Sequence, residues 1–123
     1  MKEIWSDFVK YETESDRIKG CFAVPLDSLW FDGHFPGDPI LPGIALLKFV
    51  QEVLDENARR KGLKLKLIGF KRVRFRNIAR PGYDLDVVIL TKDEEDTGSR
   101  AFTIYHGQEV VCSGTVTIAT DVS

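Results

Sequence analysis

Apolar residues dominate the chain from Ile44 to Leu54, and polar residues take over toward Lys61. The first two turns of a helix over this stretch would be apolar nearly all round, which is typical of a helix enclosed by other elements. A basic last turn and Gly62 indicate where the helix ends. The pattern predicts one central helix over about residues 42–61.

Most of the remaining chain alternates apolar and polar residues in period two, the pattern of half-buried strands. Between residues 64 and 76, Leu65, Leu67, Val73 and Phe75 fall on one side and basic residues largely on the other. Further strands are predicted over Arg17–Val24, Asp84–Lys92, Ser99–His106 and Glu109–Ala119, with a short strand or helical turn near Ile4–Tyr11. Strands gathered around one helix make an α+β domain.

The loop before the helix, from Gly33 to Gly43, holds three prolines and three glycines around His34. Proline fixes φ and glycine permits backbone shapes closed to other residues, so this density predicts one stiff, unusual conformation. Two interpretations of His34 remain open on chemistry alone. It is either a solvated side chain in a turn or a group that transfers protons near neutral pH.

Length and charge narrow the range of functions. The 123 residues, 43% of them hydrophobic, predict a single domain over residues 1–123. A net charge of −2 argues against a general nucleic-acid binder, which normally needs a cationic excess. No segment approaches the roughly 20 apolar residues of a membrane helix, so no membrane contact and a cytoplasmic location are expected.

The segment from Gly33 to Gly43, followed by an apolar helix, resembles the 3-hydroxyacyl-acyl-carrier-protein dehydratases of bacterial fatty acid synthesis. The resemblance continues through Phe75–Gly82 and the hairpin His106–Cys112, and it covers roughly residues 17–119. It implies the hotdog fold, a long antiparallel sheet wrapped around one helix. In that family two protomers join their sheets into one continuous sheet.

The resemblance also implies roles for the loop and the start of the helix. His34 would be the base that removes the α-proton, and the backbone amide of Gly43 would stabilise charge on the thioester carbonyl. The first amides of a helix have no intrahelical partner and lie at its positive end, which supports the second role. The residues expected to contact the substrate are Phe35, Pro36, Gly37, Ile40 and Pro42.

One position departs from the family pattern. The family places an acidic residue on the helix where this chain has Lys48, and Glu52 follows one turn later. In one interpretation Lys48 and Glu52 form a structural ion pair and the ordinary chemistry is lost. In the other, Glu52 has become the acid and Lys48 orients it, although one turn displaces the carboxylate by ~5 Å.

Arg72, Arg74, Arg76 and Arg80 belong to the only concentrated basic stretch. A charge run is commonly a solvated strand face. The resemblance favours a second interpretation, in which these arginines receive the acidic acyl carrier protein that delivers the substrate, because complementary charge speeds and orients association.

The leading hypothesis is therefore a 3-hydroxyacyl-acyl-carrier-protein dehydratase that forms an enoyl thioester, with no cofactor and no metal. Its partners would be acyl carrier protein and a second hotdog chain, in a homodimer or a heterodimer. Two alternatives stay open: a non-catalytic or half-catalytic subunit that pairs with an active homologue, and an acyl-thioester hydrolase.

Overall fold

The computed structural model describes residues 7–24, 43–80, 82–91 and 98–121. Within them the chain forms one helix, α1 (Gly43–Arg60), and six strands. The strands are β1 (Asp7–Thr13), β2 (Arg17–Ala23), β3 (Lys64–Phe75), β4 (Asp84–Leu90), β5 (Ser99–His106) and β6 (Glu109–Asp121). The α+β prediction is confirmed, whereas a single domain over residues 1–123 stays a prediction.

All six strands belong to one antiparallel sheet in the order β1-β2-β4-β5-β6-β3. Helix α1 packs against β2, β3 and β4. Because successive side chains of a strand point to opposite faces, one face of the sheet meets the helix. Strand β2 buries Ile18, Gly20 and Phe22 on that face and leaves its alternate residues partly exposed.

The core lies between α1 and the sheet. Phe49 of α1 is fully buried and stacks on Phe22 of β2, with ring centroids 4.6 Å apart and an interplanar angle of 20°. Phe102 of β5 is also buried and meets Phe70 of β3 edge-on, at 5.8 Å between centroids. The first aromatic pair joins the helix to the sheet, and the second joins two strands of the sheet within the core.

The helix ends where the sequence indicates. Gly62 has a φ of 68°, a left-handed conformation that glycine adopts without steric cost. The amide of Leu63 donates to the Ala58 carbonyl at 2.9 Å, which satisfies one of the last helical acceptors.

Strand boundaries differ from the prediction mainly at the ends of the chain. Residues 4–6 of the predicted Ile4–Tyr11 element lie outside the described residues, β1 ends later than predicted, at Thr13, and β6 continues past Ala119 to Asp121. Strand β4 ends at Leu90, while Lys92 lies outside the described residues. Pairing with β2 explains the extent of β1, since its last residue, Thr13, lies opposite Ile18.

Strand β3 is less regular than its alternating sequence predicts. Its register against β6 shifts between Leu67 and Gly69 and again between Lys71 and Arg74. At the second shift Arg72 has a φ of 58°, the only positive φ of a non-glycine residue in the described ranges. Phe75 was predicted to be half-buried with Leu65 and Leu67, but it is 53% exposed. Phe75 still lies on the face toward α1, opposite buried Cys112, and its exposed ring rests against Gly43.

Strand β1 is tied to the far end of α1. The Tyr11 hydroxyl donates to Asn57 Oδ1 at 2.7 Å, and Asn57 is buried. The Arg60 guanidinium lies over the Tyr11 ring at 4.4 Å from its centroid and also donates to Glu56 at 2.6 Å. This cluster links an edge strand to the helix.

Among the described residues, no helix combines the length and the hydropathy needed to cross a bilayer.

We expect Tyr11→Phe to lower the free energy of unfolding by about 1–2 kcal/mol, because the buried Asn57 carbonyl would lose its donor. Tyr105→Phe is the matched control, since Tyr105 is also half-buried and its hydroxyl makes no hydrogen bond within the described part of the chain. Urea unfolding of both variants measures the difference. Equal losses would contradict a stabilising bond between Tyr11 and Asn57.

Candidate active site

The predicted base and substrate contacts fall in residues 25–42, outside the described part of the chain. They stay predictions: His34, Phe35, Pro36, Gly37, Ile40 and Pro42. The site is therefore built below from the helix that follows this segment and from the strands beside it.

Gly43 is the first residue of α1, the position at which the main-chain amides of a helix have no intrahelical acceptor. The ring of Phe75, at the end of β3, lies against it. A Cβ atom on residue 43 would be 2.7 Å from Phe75 Cζ and 2.8 Å from Cε1, closer than side chains pack. A side chain at position 43 would therefore require the exposed Phe75 ring to move.

Lys48 and Glu52 lie on a different side of α1 from Gly43. Lys48 is about 140° round the helix from Gly43, and Glu52 is about 180° round and about 13.5 Å along the axis. Both side chains are half-buried, and Asp55 follows on the same outward side. A site that used both the Gly43 amide and the Glu52 carboxyl would therefore need a second chain.

Burial changes the acidity of this outward side. Desolvation raises the pKa of Glu52 above its ordinary value, and the positive charge of Lys48 only partly opposes the shift. The pKa of Asp55 is raised for the same reasons. A raised pKa keeps more of a carboxyl group protonated near neutral pH, as a general acid requires.

A turn holds Arg80 beside the entry to the undescribed loop. The Gly82 amide donates to the Val24 carbonyl at 2.9 Å, and the Val24 amide donates to the Tyr83 carbonyl at 2.8 Å. Val24 is the last described residue before the segment that contains His34. Half-buried Arg80 is thus held in a turn that is hydrogen-bonded to the last described residue before residues 25–42.

Arg72, Arg74 and Arg76 are all exposed, as the docking interpretation requires. They lie at and beyond the second bulge of β3, on the strand that ends the sheet. None of the three forms an ion pair with another described residue. The structure therefore leaves a cationic surface at this edge.

Lys66 and Lys71 enlarge this surface and were not among the predicted docking residues. Their Cα partners on β6 are Ala119 and Thr115, so both side chains lie on the face of the sheet that points away from α1. Arg74, opposite Ser113, shares that face. Strict period-two alternation would put Lys66 and Lys71 on opposite faces, and the register shift between Leu67 and Gly69 brings them onto one face.

Exposed apolar residues accompany the cations. Ile68 in β3 is 57% exposed, Ile78 just after β3 is 47% exposed, and Ile44 at the start of α1 is 65% exposed. Phe75 adds its exposed ring. Apolar surface concentrated at one edge of a sheet is typical of a protein contact.

No group of three or more potential metal ligands of the His, Cys, Asp and Glu types occurs among the described residues.

Comparison with known proteins shows the family to which the chain belongs. The family model described as ApeI-like, ApeI dehydratase, matches residues 10–115. The chain is 30% identical over 114 residues to the 3-hydroxyacyl-acyl-carrier-protein dehydratase FabZ of Caldicellulosiruptor saccharolyticus, covering 86% of this chain and 79% of that protein. It is 32% identical over 111 residues to the same enzyme of Alkaliphilus metalliredigens, covering 84% and 74%.

Solved structures show the same fold. The dehydratase heterocomplex ApeI:P of Xenorhabdus doucetiae matches with a TM-score of 0.70 and 23% identity, over 97% of this chain and 99% of that one. A variant of the fluoroacetyl-CoA-specific thioesterase FlK matches with a TM-score of 0.68 and 15% identity, over 91% and 90%. The prediction of a hotdog fold is confirmed.

The raised pKa of Glu52 predicts how the stability of the protein depends on pH. Burial costs less for the protonated Glu52 carboxyl than for its charged form. The contribution of Glu52 to folding stability is therefore fully present below the ordinary glutamate pKa and is lost as pH rises through the raised folded pKa. We expect Glu52→Gln to be more stable than the parent at about pH 7 and equally stable at about pH 4. Thermal unfolding across this range measures it, with exposed Glu14→Gln as the control. A stability gain that did not depend on pH would contradict the assignment.

Proposed function

Because the chain belongs to the ApeI-like dehydratase family, we propose that it removes water from a 3-hydroxyacyl thioester on acyl carrier protein to give the enoyl thioester. The observation that carries the proposal is Gly43 at the first position of α1, where an amide without an intrahelical acceptor can donate to a thioester carbonyl. The relatives named as FabZ act on carrier-bound substrates of this type. Fatty acid or related acyl-chain biosynthesis is the setting we infer, and a cytoplasmic location stays a prediction.

In the proposed reaction His34 takes the α-proton, and the electron pair of that C–H bond forms the new double bond. The C–O bond to the β-hydroxyl breaks, and the hydroxyl leaves as water after receiving a proton from an acid. The amide of Gly43 donates to the thioester oxygen while negative charge builds there. These steps use no metal and no cofactor.

The raised pKa of Glu52 supports Glu52 rather than Lys48 as the acid. Burial raises the pKa of Glu52, so its protonated form is available, whereas a lysine donates a proton only with a strongly depressed pKa. Since Glu52 and Gly43 lie on opposite sides of α1, the carboxyl group would serve the site of a neighbouring chain.

A second candidate is a non-catalytic or half-catalytic subunit. Lys48 stands where the resemblance places the family acid, so this chain could supply His34 and Gly43 to a composite site whose acid comes from a related hotdog chain. The structurally similar ApeI:P protein is itself a heterocomplex, which supports this candidate. Similarity to a thioesterase keeps hydrolysis as a third outcome of the assay.

The purified chain, incubated with 3-hydroxyacyl carrier protein and followed by intact mass, tests the proposal. Loss of water from the carrier-bound chain supports a dehydratase. Loss of water only after a related hotdog chain is added supports the half-catalytic subunit. Release of the acyl group with free carrier thiol, without enoyl product, contradicts both.

Restoring a carboxylate at position 48 tests whether the ordinary acid has been lost. If the ordinary acid has been lost, Lys48→Glu raises the rate of enoyl formation, because general acid catalysis contributes roughly 100-fold to 10,000-fold. If Glu52 is the acid, Lys48→Glu lowers the rate and Glu52→Gln abolishes it. Glu52→Gln in the parent is the companion variant. A parent that is fully active alone and loses activity in both variants would instead make Lys48 and Glu52 joint parts of the mechanism.

The docking interpretation predicts a loss of activity toward carrier-bound substrate but not toward a soluble substrate. Replacing Arg72, Arg74 and Arg76 by glutamate should lower kcat/KM for carrier-bound substrate about 10-fold or more and spare a small soluble thioester analogue, because rim charges act on encounter. Steady-state rates with both substrates measure this.

The matched control reverses three exposed cations elsewhere, with the same change of net charge: Lys10, Arg17 and Lys61. This control should keep its activity toward both substrates. Equal losses with carrier-bound and soluble substrate in the arginine variant would show damage to β3 or to the pocket.

A further inference from the structure

One side of α1 carries two carboxyl groups and a single ammonium group. Glu52 follows Lys48 by about one turn, and Asp55 follows it by about two turns. These three positions fall within about 60° of one another around the helix, so they form one stripe, called here the outward stripe. The outward stripe lies opposite the side of α1 on which Leu46 and Val50 are buried in the core.

The outward stripe has one positive charge for its two carboxyl groups. Arg59 lies one turn beyond Asp55 on the same side, but its guanidinium donates to Glu56. The strands that contact α1, namely β2, β3 and β4, lie on its buried side. Within the described part of the chain, Lys48 is therefore the only cation that shifts the pKa of either carboxyl group. One ammonium group cannot fully neutralise two carboxylates, so one of the two groups is favoured to keep its proton.

Burial decides which carboxyl group keeps the proton. Glu52 is half-buried, whereas Asp55 is exposed. Because moving a charge out of water costs free energy, the exposed group holds a negative charge more readily. Aspartate is also the stronger acid of the two side chains in water. Desolvation raises the pKa of both groups, and the negative charge of Asp55 raises that of Glu52 further. Asp55 is therefore the better partner for the Lys48 ammonium group.

We propose that Asp55 is a positioning residue for the acid of the dehydration, because it attracts the Lys48 ammonium group and leaves the Glu52 carboxyl in its protonated form. The inference rests on the proposed function, in which Glu52 gives its proton to the leaving hydroxyl. Asp55 donates no proton itself and acts through its two neighbours on the outward stripe. An ammonium group turned toward Asp55 does not stabilise the charged form of Glu52, which has no proton to donate.

Titration of Glu52 tests the arrangement without any reaction. Protein labelled with carbon-13 at its glutamate carboxyl carbons is titrated by NMR, and the Glu52 signal is identified by its loss in Glu52→Gln. We expect Asp55→Asn to lower the pKa of Glu52, because a neighbouring negative charge is lost and Lys48 can pair with Glu52 instead. An unchanged or raised pKa of Glu52 would overturn the proposal.

The same substitution in a chain without the ammonium group separates these two effects. In Lys48→Gln only the direct repulsion between the two carboxylates remains. Adding Asp55→Asn to this chain should therefore lower the pKa of Glu52 by less than it does in the wild type. Equal decreases in the two chains would show that Asp55 does not act through Lys48, and the proposal would be wrong.

The pH dependence of enoyl formation tests whether the reaction uses this proton. A rate that requires protonated Glu52 falls as pH rises through the pKa of Glu52. We expect Asp55→Asn to move this fall to lower pH and to lower kcat about 3-fold there, with an unchanged KM for carrier-bound substrate. Asp55→Glu, which restores a carboxylate, should recover most of the loss. A lower pKa of Glu52 with an unmoved pH profile would overturn the role of Asp55 in the reaction.

Asp16→Asn is the matched control, because it removes the same charge from an exposed aspartate in the turn between β1 and β2. It should change neither the pKa of Glu52 nor the pH profile. Equal effects of the two substitutions would reduce the result to net charge and overturn the proposal. If no enoyl product forms at all, the proposed function fails, and the titration still decides whether Asp55 controls the protonation of Glu52.

Discussion

A single helix packed on one face of a sheet can bury only one of its sides, and this constraint shapes the whole protein. Phe49 and its neighbours on α1 fill the core against β2, β3 and β4. The opposite side of the helix then carries Ile44, Lys48 and Asp55 outward. The edge of β3, with its exposed Ile68 and Phe75, is left open beside the same core.

The same constraint separates the candidate catalytic groups on the helix. The Gly43 amide lies at the start of α1 under the Phe75 ring, while Glu52 lies on the far side of the helix. Desolvation already raises the pKa of Glu52 and Asp55 in the single chain. Further covering of that side by a second chain would strengthen the shift, because desolvation is its cause. Assembly and acidity are thus linked.

The helix and strand β5 could be predicted closely because their signals are local: a glycine stop after a basic turn, and strict alternation between two turns. The course of β3 could not be predicted, because its two bulges depend on the register with β6. At the register observed, Arg72 has a positive φ and Lys66 lies on the same face of the sheet as Lys71. The role of His34 rests on the resemblance, since its loop lies outside the described residues.

Hydrogen–deuterium exchange of the β3 amides during assembly tests the central claim most directly, namely that the second half of the site arrives at the β3 edge. The measurement follows peptides over residues 64–71 as dimer forms, with β1, the other edge of the sheet, as the internal reference. The account predicts slower exchange in β3 on assembly and unchanged exchange in β1. A dimer that protects β1 and leaves β3 exchanging as in the free chain would contradict it.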